Sequence, residues 1–177
     1  MNMDLSEFQT FLATRYSVRE YEPDGLTEEE MEYLLQAASS APSAGNLEAW
    51  DVVVVTDPSQ LEILGDAAGN QHQIPDAGSA LVVCANYVRS MSRYADRGIL
   101  FAVQDATIAA TYMMLAAHAL RLHTCWIGAF DEEEVKEALD LPAHIRPVAI
   151  LSVGRGMPPE THPDRMDPQD HAHYDFW

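Results

Sequence analysis

Basic side chains are scarce in this sequence. Its 10 Lys and Arg residues face 28 Asp and Glu residues, which gives a formal net charge of −18, and Lys136 is the only lysine. A charge of this sign repels nucleic acids and anionic membranes, so we expect neither as a partner. An excess of acidic residues with almost no lysine is also typical of proteins that work in concentrated salt, and it predicts a halophilic source.

Cysteine is nearly absent as well. Cys84 and Cys125 each lie within an apolar run and form no C-x-x-C pair, so we predict two reduced thiols in the core rather than a disulfide or a metal site. The acidic N-terminus has no basic segment before an apolar one, and it therefore predicts no secretion signal. Together these features predict a cytoplasmic protein.

The longest apolar stretch, residues 99–122, is interrupted by polar side chains that include Gln104, Asp105, Thr107 and His118. Because such groups are costly inside a bilayer, the stretch predicts a buried helix of a soluble protein. This helix is apolar on almost every side. Either it forms the centre of the domain, or a second subunit covers one of its faces.

Standard catalytic motifs are missing from the sequence. It contains no G-x-G-x-x-G, P-loop, G-x-S-x-G or H-E-x-x-H motif, so dinucleotide folds, P-loop NTPases, serine hydrolases and zinc peptidases are unsupported. His162, His171 and His173 could bind a metal, but they lie in a proline-rich tail, and a solvated tail is the favoured interpretation. We therefore predict no metal site.

Hydrophobic periodicity and helix caps predict one domain over residues 1–177. Thr27 and Glu30 form a capping box, and Asp57-Pro58 and Asp131 begin two further helices. The predicted helices cover residues 4–14, 27–38, 57–68, 100–122 and 131–139, and the predicted strands cover residues 50–56, 80–87, 124–127 and 147–153. Strands separated by helices in this order indicate an α+β or α/β sandwich.

A possible phosphate site lies near the N-terminus. Arg15, Ser17 and Arg19 would share one side of an extended segment, because side chains alternate along a strand. Two guanidinium groups and a hydroxyl are suitable donors to a phosphate. A surface cluster that balances neighbouring acidic residues is an equally good interpretation of these residues alone.

A second motif, Pro42-Ser43-Ala44-Gly45-Asn46, directly follows a predicted helix. Small residues and an amide allow the close approach of a flat ligand and hydrogen bonds to its polar edge. For this segment alone, a plain loop that ends the helix is the favoured interpretation.

Taken with the rest of the chain, these motifs resemble the nitroreductase family over nearly the whole length. The R-x-S-x-R-like stretch of that family is matched at residues 15–19, and its P-S-x-x-N segment ending in Trp is matched at residues 42–50. The most specific match is the run Gln104-Asp105-Ala106, Met114-Leu115-Ala116-Ala117 and Thr124-Cys125-Trp126-Ile127-Gly128. This run is similar to the family's central helix and the strand after it.

The resemblance implies an α+β fold, a three-layer α/β/α sandwich around a mixed or antiparallel sheet. It also implies an intertwined homodimer with FMN bound between the subunits. NADH or NADPH would reduce the flavin, and a small oxidant such as a nitroaromatic or a quinone would reoxidise it. No catalytic side chain is expected, because the cofactor carries the chemistry at its N5 atom.

The resemblance further implies which residues contact FMN. Arg15 and Ser17 would bind the phosphate together with Arg165 from a tail at about 154–177, and Arg19 would lie by the N1–O2 edge of the ring. Tyr16 would also contact the cofactor. The partner subunit would contribute Pro42, Ser43, Ala44 and Asn46. The pyrimidine edge would accept from Asn70 and Gln73, and the ring near N5 would pack on Ile127, Gly128 and Ala129.

Some positions depart from the family pattern. Glu48-Ala49 stands where the family usually has Gln-Pro, Gln73 occupies a position that is basic in several members, and Arg165-Met166 replaces a basic run. We therefore expect a different pocket edge and a phosphate site with fewer charges. Two alternatives stay open: a family member that dehalogenates its substrate or fragments the flavin, and an FMN-binding module without catalysis.

The acidic composition predicts that stability rises with salt. Between about 0.15 M and 1 M salt the Debye length falls from about 8 Å to about 3 Å, so repulsion between surface carboxylates persists at the lower concentration and largely disappears at the higher. The dimer should loosen and lose FMN in low salt and recover in molar KCl. Thermal melts and flavin fluorescence across this range measure the effect, and a flat melting temperature would contradict the halophilic prediction.

Overall fold

The computed structural model describes residues 4–22, 24–160 and 164–177. Seven α-helices lie in these ranges: α1 (Leu5–Ala13), α2 (Glu28–Ser39), α3 (Pro58–Ala67), α4 (Gln73–Asp76), α5 (Tyr87–Tyr94), α6 (Arg97–Ala119) and α7 (Glu132–Ala138). The strands are β1 (Glu20–Tyr21), β2 (Trp50–Val55), β3 (Ala80–Asn86), β4 (His123–Ile127), β5 (Ile145–Gly154) and β6 (Gly156–Met157).

The central sheet has four antiparallel strands in the order β2-β3-β5-β4. Every residue of β3 is buried, which explains why the sequence of this strand is continuously apolar rather than alternating. A separate two-stranded ribbon pairs Glu20 with Met157 and Tyr21 with Gly156. The α+β class and the antiparallel sheet agree with the sequence-based expectation.

Helices cover both faces of the sheet and form two hydrophobic cores. The first core joins α2 and α6 to one face and includes Leu34, Leu81, Met113 and Leu151. The second joins α3, α4 and α7 to the other face and includes Leu64, Val82, Val135 and Ile150. The architecture is therefore an α/β/α sandwich.

Helix α6 is the core helix predicted from the long apolar stretch. By length and composition it is one helix that could cross a membrane, but it packs against all four strands of the central sheet. Six of its nine buried residues are alanines, namely Ala102, Ala106, Ala109, Ala110, Ala116 and Ala117. Small side chains allow the helix backbone to approach the sheet closely.

The predicted caps begin the expected helices. The Thr27 hydroxyl accepts from the Glu30 N–H at 3.2 Å, and the Glu30 carboxylate accepts from the Thr27 N–H at 2.8 Å, which completes the capping box. Asp57 and Asp131 accept backbone N–H groups at the starts of α3 and α7. These hydrogen bonds join residues only two or three positions apart, so they can be predicted from the sequence.

Several element bounds differ from the prediction. Helix α6 begins at Arg97 rather than near residue 100, and β5 begins at Ile145 rather than Pro147. The sequence analysis missed α5 altogether. The Asn86 side chain accepts from the Arg89 N–H at 3.0 Å and so caps α5, which was the available signal for this helix.

Two terminal elements leave apolar side chains exposed. Helix α1 has no buried residue, and Leu5, Phe8 and Leu12 are all exposed on it. The tail is exposed throughout residues 164–177, with Trp177 fully accessible and its ring stacked on His173. His162 lies outside the described residues.

Candidate active site

The segment that carries Arg15, Ser17 and Arg19 runs along the free edge of β4. Ser17 forms a parallel bridge with Thr124, and the Val18 N–H donates to the Thr124 carbonyl at 3.0 Å. Val18 is buried, whereas Ser17 is half-buried and Arg19 is exposed. Ser17 and Arg19 thus differ in burial from Val18 between them, as expected for an extended segment. Arg15 and Tyr16 are both half-buried, so the predicted alternation does not extend to the start of the segment.

A cavity of about 330 Å³ opens beside Arg15. Its lining comes from the start of the extended segment, the end of α6, the start of β4 and two prolines: Thr14, Arg15, Tyr16, His118, Leu122, His123, Thr124, Pro158 and Pro159. The Nη1 atom of Arg15 is buried and has no hydrogen-bond partner within the described part of the chain. A buried guanidinium donor without an acceptor is costly, so this atom points to an anionic ligand.

Ser17 and Arg19 line an adjoining cavity of about 540 Å³. The two cavities share Pro158 and Pro159 as a common wall. The predicted phosphate residues are thus neighbours, but Arg15 faces one compartment while Ser17 and Arg19 face the next. The second compartment also contains the acidic residues Glu20 and Glu160.

Sequence reasoning missed His118 and His123 in the Arg15 cavity. Burial lowers the pKa of both imidazoles. The charge of Arg15 lowers the pKa of His118 further, and His118 does the same to His123. The Nδ1 atom of His123 is buried and unpartnered among the described residues. The available signal was its position next to Thr124, which the fold pairs with the Arg15–Arg19 segment.

The Pro42–Asn46 motif forms a short 3₁₀ helix over Ala44–Asn46 that is held against α6. The Asp105 carboxylate accepts from the Ala44 N–H at 2.8 Å and from the Ala49 N–H at 3.2 Å. Asp105 is only 2% exposed. One buried carboxylate therefore fixes both ends of the loop that the sequence analysis assigned to the flavin.

Backbone conformation also constrains this loop. Gly45 has φ of 59°, and a Cβ atom at this position would meet the Tyr94 hydroxyl oxygen. Asn46 and Glu48 also adopt positive φ values of 58° and 47°. Glycine at position 45 avoids both the strain of a positive φ and this contact, so the motif has a structural reason beside its predicted contact with a ligand.

Pro42, Ser43 and Ala44 line a third cavity, of about 520 Å³, against α6. Its other lining residues belong to that helix: Phe101, Val103, Gln104, Asp105, Thr107 and Ile108. None of its lining residues is shared with the Arg15 cavity. Within one chain, the two halves of the predicted flavin site therefore remain apart.

A third group of predicted residues gathers at the far end of β4. The Gln71 side-chain N–H donates to the Ala129 carbonyl at 3.5 Å, and the Gln73 amide donates to the Gln71 side-chain oxygen at 2.5 Å. Gln71, which sequence reasoning missed, thus links the segment of Asn70 and Gln73 to the segment 127–129. Asn70, Gly128 and Ala129 are exposed, whereas Gln73 and Ile127 are buried.

Arg165 is not brought to the other predicted phosphate residues. It is exposed, and it forms no hydrogen bond or ion pair with any residue in the ranges that the structure describes. Arg15 is therefore the one arginine that lines the 330 Å³ cavity.

Comparison with known proteins identifies the family to which this chain belongs. The sequence pattern of the Nitroreductase family matches residues 12–80 and 65–155. The chain belongs to the nitroreductase family. It is an oxidoreductase of the NAD(P)H nitroreductase and FMN reductase type.

Named relatives and a solved structure agree with this membership. A protein of Archaeoglobus fulgidus that carries the name NADH dehydrogenase/NAD(P)H nitroreductase is 32% identical over 154 residues, covering 85% of this chain and 86% of that protein. The FMN reductase (NADPH) of Bacillus subtilis is 30% identical over 152 residues, covering 78% and 61% respectively. The NfrA1 nitroreductase structure from B. subtilis superimposes with a TM-score of 0.88 at 25% identity, covering 95% of this chain and 74% of that one.

The buried carboxylate of Asp105 yields a stability prediction. In Asp105→Asn the side chain keeps its shape but can accept only one of the two backbone N–H groups, and its own amide hydrogens face the other. The free energy of unfolding should fall by about 1–3 kcal/mol, the cost of one unsatisfied buried donor. Denaturant melts measure this change. The control is Asp96→Asn at the start of the same helix, where the carboxylate makes no capping hydrogen bond, and an equal loss in both variants would contradict the role given to Asp105.

Proposed function

We propose that this chain binds FMN and uses it to transfer hydride from NADH or NADPH to a small oxidant such as a nitroaromatic or a quinone. The observation that carries the proposal is the buried, unpartnered Arg15 Nη1 in a cavity beside Ser17 and Thr124. The names of the relatives, which include NAD(P)H nitroreductase and FMN reductase, support the donor and the cofactor.

The residues present suit the chemical groups of FMN. A guanidinium and a nearby hydroxyl are suitable donors for its phosphate. At the other end of β4, a Cβ atom built on Gly128 would meet only the Trp126 indole, at 3.4 Å, so the backbone there is open to a planar ring. Asn70 is exposed, so its amide is available to the polar edge of such a ring.

When bound, FMN would supply the hydride chemistry, and the protein would supply binding, orientation and charge. Arg15 would anchor the phosphate. Arg19 is exposed and makes no hydrogen bond within the described residues, so its charge is free to act on the N1–O2 edge. In the proposed reaction, no side chain of the protein acts as an acid or a base.

The third cavity supports an aromatic oxidant. Its wall is largely apolar, with Phe101, Val103 and Ile108, while Ser43, Gln104, Asp105 and Thr107 add polar groups. Apolar walls with few polar groups are typical of sites for small organic molecules. The alternatives of dehalogenation and flavin fragmentation are less favoured, because the short connection between β3 and α6 is occupied by α5, which packs on α6 and leaves no long lid.

We also propose that the active form is a homodimer in which each flavin site takes Arg15 from one chain and the Pro42–Asn46 loop from the other. The separation of the two cavities in one chain supports this arrangement. The exposed apolar residues Leu5 and Phe8 on α1 and Leu100 on α6 also support it, because such surfaces are usually covered by a partner. We also propose a cytoplasmic location, and a halophilic source that the salt titration tests.

The flavin assignment predicts a yellow protein that NADH or NADPH bleaches in the absence of oxygen. In Arg15→Ala the affinity for FMN should fall about tenfold to hundredfold, the value of a charge-assisted hydrogen bond, while the affinity for riboflavin, which has no phosphate, should hardly change. Flavin fluorescence titrations in high salt measure both affinities.

The matched control is Arg97→Ala, at an exposed arginine that lines neither phosphate cavity. Equal losses for FMN and riboflavin would remove Arg15 from phosphate binding. A folded, colourless protein that takes up no FMN would contradict the proposed function as a whole. Bound flavin that neither nicotinamide reduces would favour a non-catalytic FMN-binding module.

The shared-site proposal predicts complementation between two defective chains. Arg15→Ala removes the phosphate contact, and Ala44→Trp fills the cavity on α6. In a mixed dimer, one site carries both substitutions and the other carries neither, so half of the sites should bind FMN with wild-type affinity. Co-purification of the two chains with different tags, followed by flavin titration, measures this recovery. No recovery above the two separate homodimers would place each site within one chain.

A further inference from the structure

We propose that His123 is a pH-dependent ligand for a phosphate monoester in the Arg15 cavity, and that it takes up a proton when the phosphate of FMN binds. This inference rests on the proposed FMN function. It adds to that function a residue outside the matched motifs and a coupling between flavin affinity and pH.

Two buried nitrogen atoms that lack hydrogen-bond partners support this proposal. Arg15 Nη1 and His123 Nδ1 are both buried, both lack a hydrogen-bond partner in the described part of the chain, and both residues line the same 330 Å³ cavity. A buried guanidinium N–H and a buried imidazole nitrogen, both without partners on one cavity wall, are costly together. A phosphate dianion, with three acceptor oxygens, satisfies both at once.

His118 has a different role, although it lines the same cavity. Its Nε2 atom lies 3.1 Å from the Thr14 hydroxyl oxygen, its ring packs on Phe11 with centroids 4.8 Å apart, and it hydrogen-bonds the Phe11 backbone. These contacts tie the end of α6 to α1. The imidazole of His118 is therefore already partnered, and His123 is the histidine with a free nitrogen.

The surroundings keep His123 neutral before the ligand arrives. Burial is the main cause that lowers its pKa, nearby His118 lowers it further, and the Glu22 carboxylate acts in the opposite direction. The other charged or titratable residues of the two adjoining cavities are Arg15, Tyr16, Arg19, Glu20 and Glu160. A dianion placed against the ring favours the protonated form, so its binding raises the pKa of His123.

The scarcity of other bases makes this proton important. Arg15 is the one permanent cation on the cavity wall, Arg165 is exposed and unpaired within the described ranges, and the neighbouring cavity adds two carboxylates. A protonated His123 would supply the second positive charge that a dianion requires. By linkage, affinity for the phosphate should increase as pH falls.

The test compares FMN and riboflavin affinities at pH 8.5 and pH 6.5 in high salt, conditions under which the FMN phosphate, with a second pKa of about 6, remains largely dianionic. Wild-type protein should bind FMN about threefold more tightly at pH 6.5, because a rise of one pKa unit on binding gives at most a tenfold gain, which is reached only at pH values below both pKa values. Riboflavin affinity should stay nearly constant. His123→Asn should remove the pH dependence. His123→Lys, with a permanent charge, should bind FMN tightly at both pH values.

Calorimetry in buffers of different ionisation enthalpy gives a readout that does not depend on activity. FMN binding at pH 7.5 should take up protons in the wild type and in the control His144→Asn, at an exposed histidine outside the cavity, but not in His123→Asn. If FMN binds to wild type and His123→Asn with the same pH profile and proton uptake, the role of His123 is overturned while the proposed function stands. If the folded wild type binds neither flavin, the proposed function falls and this inference falls with it.

Discussion

The close packing of α6 on the sheet is the constraint on which the rest of the molecule depends. Alanines at the helix face let the backbone approach β3 and β5 closely, and larger side chains there would separate the two layers. The same helix carries Asp105, whose two hydrogen bonds to Ala44 and Ala49 fix the loop before β2. One helix therefore forms the core, determines the shape of a cavity and connects to β4 through Leu122.

The position of β4 organises the other half of the site. Its first residues pair with the Arg15–Arg19 segment through Thr124, and its last residues lead to Gly128 and the carbonyl of Ala129, which Gln71 contacts. At about 3.3 Å per residue, the strand separates these two regions by about 13 Å. A ligand with an anionic group at one end and a planar ring at the other would span the distance between these two regions.

The net negative charge of the chain determines how this site can hold an anion. On a chain with a net charge of −18, a phosphate dianion is repelled at long range and must be held by a few close contacts. Arg15 is half-buried and its Nη1 atom is fully enclosed, so water screens its charge less than at an exposed site and the charge interacts more strongly with a ligand. In the proposed arrangement, His123 on the same cavity wall adds its positive charge only when the phosphate binds, which avoids the cost of holding two cations in a cavity without an anion.

Sequence alone determined the features that depend on near neighbours or on the strongest periodicities. The capping box at Thr27, the caps at Asp57 and Asp131, the central sheet strands and the long core helix all follow from interactions within a few residues or from continuous burial. The motif at residues 15–19 and the one at 42–46 were also visible, and with them the family.

Only the tertiary structure decided which of these residues are neighbours. It separated the two motifs into different cavities, turned the Arg15 and Arg19 side chains to adjoining compartments, and left Arg165 exposed. It also brought His118, His123 and Gln71 into contact with the predicted site residues or their cavity. Such contacts depend on strand pairing and on helix packing between distant parts of the chain, and a side chain's local sequence carries no information about the partner that folding places beside it.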